Sequence, residues 1–264
     1  MRRAPGGHQL AARAVAAASA LFWAGFFFGL IDLAVPVDET PGFYDSYLLE
    51  TGWGVLYTFL VGGAFISLAA RPEMAMPVAQ VALVAVCLAV TALAAGSWVQ
   101  LVPAVVLAAN GYAFSALTRG HASLPEGWYR PRLDPPVGVA AVTLVPPAVL
   151  FAVDMVMGFR EGRPPLGDDT AFIDHWPTQA ALALAISAVA LGVAAGVRAR
   201  WSGTAVSAGC VAVAAGWFGA WSAIYPDHAG SAGEAPGIAL IVWACGFTCL
   251  VWWRLSTRRA RATR

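Results

Sequence analysis

Two aspartates stand within otherwise apolar stretches of the sequence. Asp32 lies in the segment GLIDLAV, and Asp154 lies in the segment FAVDMVM. A carboxylate in apolar surroundings is costly unless it binds a proton, a cation or a polar partner. The sequence leaves two interpretations open. Either the two carboxylates face a shared cavity and bind a cation or a proton, or each is hydrated at the end of a helix.

Aspartate and histidine are also neighbours at two places. The pair Asp174-His175 comes shortly before Pro177, and the pair Asp227-His228 lies in the segment YPDHAG. Imidazole and carboxylate groups are ligands for transition metals, so these four residues are candidates for a metal site. Their spacing matches no established metal-binding motif. The alternative is the start of a helix, where proline and a negative charge are both favourable; it accounts for Asp174 and Pro177 but not for His175.

Two further features of the apolar stretches concern packing and cavities. Asn110, in LAANGYAF, is a candidate ligand-binding residue, although such an amide more often bonds a neighbouring helix. Pro146-Pro147 predicts a helix kink, because proline lacks the N–H group that a helix interior requires. Carbonyl groups released by a kink in a membrane must be buried in protein or face water. The two prolines therefore predict a cavity nearby.

The composition excludes several chemistries. All 16 basic residues are arginine, so no lysine is present to form a Schiff base with retinal or pyridoxal phosphate. The four cysteines lie in apolar runs and form no CxxC motif, which argues against a disulfide framework. A net charge of +1 without a basic patch argues against nucleic-acid binding. We predict no cofactor, with a metal ion at the outer face as the one alternative.

The candidate residues must be positioned by helices that cross a membrane. The chain is 59% hydrophobic and 12% charged, whereas soluble domains contain about 25% charged residues. A helix needs about 20 predominantly apolar residues to cross a bilayer. The sequence therefore predicts an all-α, polytopic integral membrane protein with one membrane domain over residues 1–264 and eight transmembrane helices. The eight predicted helices lie near 14–35, 53–70, 77–95, 98–117, 137–158, 178–197, 203–224 and 237–253.

The distribution of arginine predicts the orientation of these helices. If the N-terminus is cytoplasmic, Arg160 and Arg163 are the arginines that fall in outer segments, and most of the acidic residues are outside. Because basic residues concentrate on the cytoplasmic side, both termini are predicted to be cytoplasmic. The use of arginine in place of lysine, with abundant alanine and glycine, indicates a GC-rich bacterial genome. The expected location is the inner (plasma) membrane of a bacterium.

The two halves of the chain share a similar plan. Helices one and five each carry a late aspartate, Asp32 and Asp154, before a long acidic segment. Asp45 precedes Arg71 by the same number of residues as Asp174 precedes Arg200. Four spans per half would give a parallel repeat of residues 1–134 and 135–264, related by an axis along the membrane normal. Coincidence between two apolar sequences is the alternative.

Three functional hypotheses follow. The first is a transporter or channel-like protein for a small solute or cation, with an outward-facing acidic cavity near Asp32 and Asp154. The second is a non-catalytic subunit of a membrane complex, or a homo-oligomer, because small-residue faces favour close helix packing. The third is a metal-dependent enzyme acting at the outer face through Asp174, His175 and the pair Asp227-His228. The lipid bilayer is a predicted partner in all three, and an enzyme is the less favoured class.

Overall fold

The structure is a computed structural model that describes residues 7–37, 47–118, 128, 130–163 and 174–262. The described residues form helices and turns, with no β-strand among them. Eight helical segments within these ranges are long and apolar enough to cross a membrane, which fits a multi-pass membrane protein. In chain order, spans one to eight are Gly7–Phe26, Leu48–Ala70, Ala75–Ala95, Trp98–Leu117, Pro135–Glu161, His175–Ala199, Thr204–Ile224 and Glu234–Thr257.

The number of spans agrees with the sequence-based prediction, and seven of them lie close to their predicted positions. Span one differs, because it runs from Gly7 to Phe26 and not from 14 to 35. The chain turns at Phe28, whose φ of 63° is incompatible with continuation of an α-helix. A separate short helix, Gly29–Ala34, follows the turn and carries Asp32.

Local sequence signals mark several helix ends. Gly96 and Gly162 end spans three and five in the left-handed conformation that glycine adopts without strain. The hydroxyl group of Ser97 accepts a hydrogen bond from the Gln100 N–H at the start of span four. Pro135 begins span five, where the missing N–H group of proline has no cost.

Spans two, three and six form the centre of the bundle. More than half of the residues in their most apolar windows are buried, against fewer than a third in spans one, four, five and eight. The outer spans present apolar side chains outward, including Val102, Val105 and Leu150. Such a surface suits a lipid environment, because isolated soluble proteins rarely expose large contiguous apolar areas.

Contacts between helix ends define two ends of the bundle. At one end, which we call the acidic end, Ser97 donates to Asp174, and the Gln179 amide donates to the carbonyl oxygens of Leu48 and Gly230. Described acidic residues here are Asp32, Glu50, Asp154, Glu161, Asp174, Asp227 and Glu234. At the arginine-rich end, the Ala75 N–H donates to Ser202, and Arg254 pairs with Asp134. Described arginines here are Arg13, Arg71, Arg130, Arg132, Arg198, Arg200 and Arg254.

Three spans depart from regular α-helix geometry. Span one contains a π-helical turn at Phe22–Phe26, and span two contains a π-helical stretch at Leu56–Gly62. Span five is divided into Pro135–Val142 and Val145–Glu161, with Pro146 and Pro147 in the first turn of the second part. The π-helical stretches and the division all release backbone carbonyl groups from the regular helix pattern.

Candidate functional site

Asp32 lies at the acidic end, on the short helix that follows the turn at Phe28. Its backbone N–H donates to the Phe28 carbonyl oxygen at 2.9 Å, which starts this helix. The residue is 9% exposed, so its side chain is enclosed by protein. A buried carboxylate so close to an irregular turn is unusual for a helix end, where acidic groups are normally hydrated.

Span two passes very close to the backbone of this short helix. A Cβ atom added at Gly54 would lie 2.2 Å from the Leu33 nitrogen and 2.7 Å from the Asp32 carbonyl carbon. Only glycine permits that approach. The adjacent Trp53 fixes the turn itself, because its indole N–H donates to the Phe27 carbonyl oxygen at 2.8 Å.

Two further ionisable side chains are buried around Asp32. Glu50 is 4% exposed and lies one helical turn from Gly54 on span two. His175 is 2% exposed at the start of span six, and its ring packs against Trp53 with 5.6 Å between centroids. Glu50 and His175 are the two charged groups that act electrostatically on Asp32. We call Asp32, Glu50 and His175 the Asp32 cluster.

Burial changes the acidity of Asp32. The residue lies beyond the end of span one at Phe26, and burial raises the pKa of its carboxyl group from 3.8 to about 7. Desolvation has this effect because the charged form loses more solvation free energy than the neutral form. The charge of His175 lowers the same pKa and that of Glu50 raises it, each by less than burial does. Burial therefore favours the protonated form of Asp32 over its charged form.

Aromatic rings enclose the cluster on the side of the bundle centre. Trp53 lies against Tyr57 and Phe27, with centroid separations of 4.6 and 4.9 Å. Tyr57 stacks on Trp23 at 5.2 Å with nearly parallel planes. These rings exclude bulk solvent from the cluster, and the low polarity that results strengthens every electrostatic interaction inside it.

Asp174 and Gln179 hold the neighbouring helices together. The Asp174 side chain accepts from the Ser97 hydroxyl group, and its carbonyl oxygen accepts from the Gln100 amide at 2.6 Å. Gln179 is fully buried and links spans two and six with the turn at Gly230. These hydrogen bonds give Asp174 a structural role at the start of span six and position His175 beside Trp53.

Asp154 lies in different surroundings from Asp32. Its side chain is 56% exposed and pairs with the Arg163 guanidinium group at 2.6 Å. The structure thus brings Asp32 together with Glu50 and His175, and it places Asp154 in a surface ion pair.

The second Asp-His pair lies in the turn between spans seven and eight. Asp227 is exposed, and the ring of the half-buried His228 packs against Tyr225 with 4.9 Å between centroids. Within the described part of the chain, no group of three or more His, Cys, Asp and Glu side chains is arranged to hold a metal ion. The described residues give no geometric support to the outer metal site.

The remaining sequence candidates lie away from the Asp32 cluster. Asn110 is half-buried on span four, beside Gly111, where spans three and four pack closely. Pro146 and Pro147 are exposed on the outer face of span five. The Ala140 carbonyl oxygen at the division of that span accepts from the Trp243 indole N–H at 2.7 Å.

A cavity of about 540 Å³ lies next to this division. Its lining is mostly apolar, so it differs in character from the Asp32 cluster. The lining residues are Thr143, Leu144, Pro147, Ala148, Leu150, Phe151, Ala183, Ile186, Phe218, Ala232, Pro236, Ala239, Leu240 and Trp243.

Glu50 and Gln179 were not among the residues that the sequence singled out. Glu50 precedes residue 53, where the sequence predicts the start of span two, but this span begins at Leu48. A signal was present, since the glycines at 52 and 54 closely follow Glu50 and indicate close packing of that helix end.

No protein-family model matches the sequence, and no curated protein or solved structure matches it either.

Proposed function

We propose that this chain is a membrane transport protein that binds a small cation or a proton at the Asp32 cluster. The observation that carries the proposal is the burial of two carboxyl groups, Asp32 and Glu50, beside His175 at one end of a bundle of membrane-length helices. Ionisable groups enclosed in such a bundle are costly, and they commonly mark ion or proton pathways. A purely structural role would be served equally well by neutral side chains.

The irregular helices around the cluster support this proposal. The turn at Phe27 and Phe28 interrupts the chain next to Asp32, and the π-helical stretch of span two begins two residues beyond Gly54. Transporters commonly place their ion sites at discontinuous helices, where carbonyl groups are available and small movements are possible. π-Helical turns are frequent at functional sites for the same reason.

We further propose that the acidic end faces the outside of a bacterial inner membrane, with both chain termini in the cytoplasm. The arginine-rich end would then lie on the cytoplasmic side, in accordance with the general excess of basic residues there. In this orientation, a cation from outside would meet the acidic end first. Its negative charge would raise the local cation concentration near Asp32.

Ion flux into liposomes tests the proposal. The purified protein is reconstituted, and uptake of H⁺, Na⁺ and K⁺ is followed under an imposed membrane potential. We expect flux of at least one of these ions above that of empty liposomes, and we expect Asp32→Asn to reduce it at least about tenfold. The reduction is expected because the asparagine amide cannot bind a cation or exchange a proton as the carboxyl group does.

Asp154→Asn is the matched control, because it makes the same chemical change at an exposed, ion-paired site. We expect its flux to stay within about twofold of wild type. Flux equal to that of empty liposomes for all three ions would contradict the proposal. So would an Asp32→Asn variant that transports as fast as wild type.

A further inference from the structure

Six buried polar atoms in spans one, two, three and seven lack a hydrogen-bond partner among the residues that the structure describes. They are Trp23 Nε1, Tyr57 Oη, Thr58 Oγ1, Gln80 Oε1, Ser207 Oγ and Trp217 Nε1. A buried polar atom left unsatisfied costs about 1–3 kcal/mol, and native proteins keep few of them. Bound water is the usual partner for such atoms where space permits.

Three of these atoms, in Trp23, Tyr57 and Thr58, lie next to the Asp32 cluster on the side of the bundle centre. Thr58 is one helical turn beyond Gly54, which touches the backbone of Asp32 and Leu33. A Cβ atom added at Gly29 would lie 2.9 Å from Thr58 Oγ1, so this hydroxyl group also faces the short helix that carries Asp32. Tyr57, which precedes Thr58 in the chain, stacks on Trp23. Three unsatisfied polar atoms thus follow Asp32 toward the bundle centre.

Gln80 continues this series in the middle of the bundle. Its amide nitrogen donates to the Leu60 carbonyl oxygen at 2.6 Å, within the π-helical stretch of span two, and leaves Oε1 unsatisfied. Gln80 therefore connects span three to span two. Cys210 of span seven packs against Gly63 of span two, where an added Cβ atom would lie 2.8 Å from its sulfur.

Ser207 brings the series to the arginine-rich end. It lies one helical turn from Cys210, and its backbone N–H donates to the Gly203 carbonyl oxygen at 3.1 Å. Gly203 and Thr204 line a cavity of about 460 Å³ at that end, together with Arg71 and Arg200. Buried polar groups therefore follow one another from Asp32 to a cavity on the opposite side of the bundle.

We propose that bound water joins these polar atoms into a hydrogen-bonded proton route from Asp32 to the cavity at the arginine-rich end. This inference rests on the proposed function and specifies it further, because it assigns the proton as the transported ion. A proton on the Asp32 carboxyl group passes to an adjacent water molecule. Each later step breaks one O–H bond and forms another, until the proton leaves from the cavity as hydronium.

The chemistry of the route favours a proton over a metal cation. Its groups are neutral hydroxyl, amide and indole groups, which can orient water but cannot balance the charge of an ion stripped of its hydration shell. Among the described residues, the buried carboxylates are Asp32 and Glu50 at the acidic end and Asp134, which pairs with Arg254.

Radiolytic hydroxyl-radical labelling tests for the water itself, independently of transport. Radicals formed from bound water oxidise the side chains that touch it. In the protein in lipid nanodiscs, we expect Trp23 and Tyr57 to be oxidised at least about tenfold faster than Trp53. Trp53 is equally buried, but its indole N–H already donates to Phe27. Equal, slow oxidation of all three residues would overturn the route.

Measurements of proton flux in liposomes test whether protons move along the proposed route. Thr58→Val and Ser207→Ala each remove one hydroxyl group with little change in volume, and we expect each to lower proton flux at least about tenfold. Thr91→Val is the matched control, because the buried Thr91 hydroxyl group already donates to the Cys87 carbonyl oxygen at 3.0 Å. Its flux should stay within about twofold of wild type.

The outcomes separate this inference from the proposed function. Asp32-dependent proton flux that is unchanged in Thr58→Val and Ser207→Ala would overturn the route and leave the transport function standing. Asp32-dependent flux of Na⁺ or K⁺ without proton flux would likewise overturn the route and leave the transport function standing. If the protein moves none of these ions, both the route and the proposed function are overturned.

Discussion

At the scale of single residues, the two aspartates of the apolar stretches differ in what surrounds them. Asp154 forms a surface ion pair with Arg163, a kind of contact that contributes little to stability. Asp32 is enclosed by span two and by aromatic rings, and burial raises its pKa to about 7. A substitution of Asp154 should therefore change stability little, whereas Asp32 determines how stability depends on pH.

The thermal stability of wild type should fall as the pH rises from about 4 to about 7. The folded protein keeps Asp32 protonated up to about pH 7, whereas the unfolded chain loses this proton near pH 4. Between these values the folded state binds more protons, so a rise in pH favours unfolding. Asp32→Asn carries no titrating group there. Its melting temperature, relative to that of wild type, should rise over this range and then stay constant.

Melting temperatures measured in detergent between pH 4 and pH 8 would check this expectation. Asp154→Asn is again the control and should follow wild type at every pH. A constant difference between wild type and Asp32→Asn over the whole range would show that Asp32 does not titrate near neutral pH.

The sequence identified ionisable residues of the site better than it predicted which of them lie close together. Asp32 and His175 stood out because ionisable groups next to long apolar runs are uncommon. Their proximity could not be predicted, because it depends on the turn at Phe28 and on the packing of span six against span two. Pairing Asp32 with Asp154 followed from an internal similarity of the sequence, which carries no information on which side chain is enclosed.

At the scale of helices, the close approach of span two to the short helix sets the position of Asp32. Gly54→Ala should displace that helix, because the added Cβ atom would meet backbone atoms of Leu33 that cannot rotate away. Overpacking of this kind costs about 1–3 kcal/mol, which corresponds to a fall of roughly 5 °C in melting temperature. We also expect ion flux to fall, because Asp32 moves with the helix.

Gly216→Ala is the matched control in span seven, since an added Cβ atom there meets nothing within 4 Å. Its melting temperature should equal that of wild type or exceed it slightly, because alanine favours a helix. A Gly54→Ala variant as stable and as active as Gly216→Ala would contradict the close packing described here.

The length of the apolar stretches predicted that the helices exist. Irregularities within the helices were predicted only where proline was present. Pro146-Pro147 indicated the division of span five, which the structure places at Thr143 and Leu144. The turn at Phe28 and the π-helical stretch Leu56–Gly62 contain no proline. They depend on packing between spans one and two, so no local pattern in the sequence marks them.

At the scale of the whole molecule, the parallel repeat of residues 1–134 and 135–264 stays a prediction. Spans one and five are peripheral, spans two and six are central, and spans four and eight are peripheral, whereas span three is more buried than span seven. The residue offset that relates Arg71 to Arg200 also relates Glu50 to Gln179 and Thr58 to Ser187. If the repeat holds, the position that corresponds to Glu50 in the second half is the neutral Gln179.

Cysteine labelling in cells checks the proposed orientation of the molecule. In intact bacterial cells, a membrane-impermeant maleimide should label Glu161→Cys at the acidic end and leave Glu73→Cys at the arginine-rich end unlabelled. Both positions are exposed, so both should react after the membrane is permeabilised. The reverse pattern in intact cells would place the acidic end in the cytoplasm and invert the proposed direction of ion entry.

The ion pair between Asp134 and Arg254 has a consequence for how the protein is made. The two residues are 120 positions apart, so a ribosome completes spans five to seven and most of span eight before Arg254 exists. The ion pair with the Asp134 carboxylate, which is fully buried in the finished protein, forms only after that interval. Pairing of Asp134 with Arg254 is thus a late step of biosynthesis, because it waits for the end of the eighth helix to leave the ribosome.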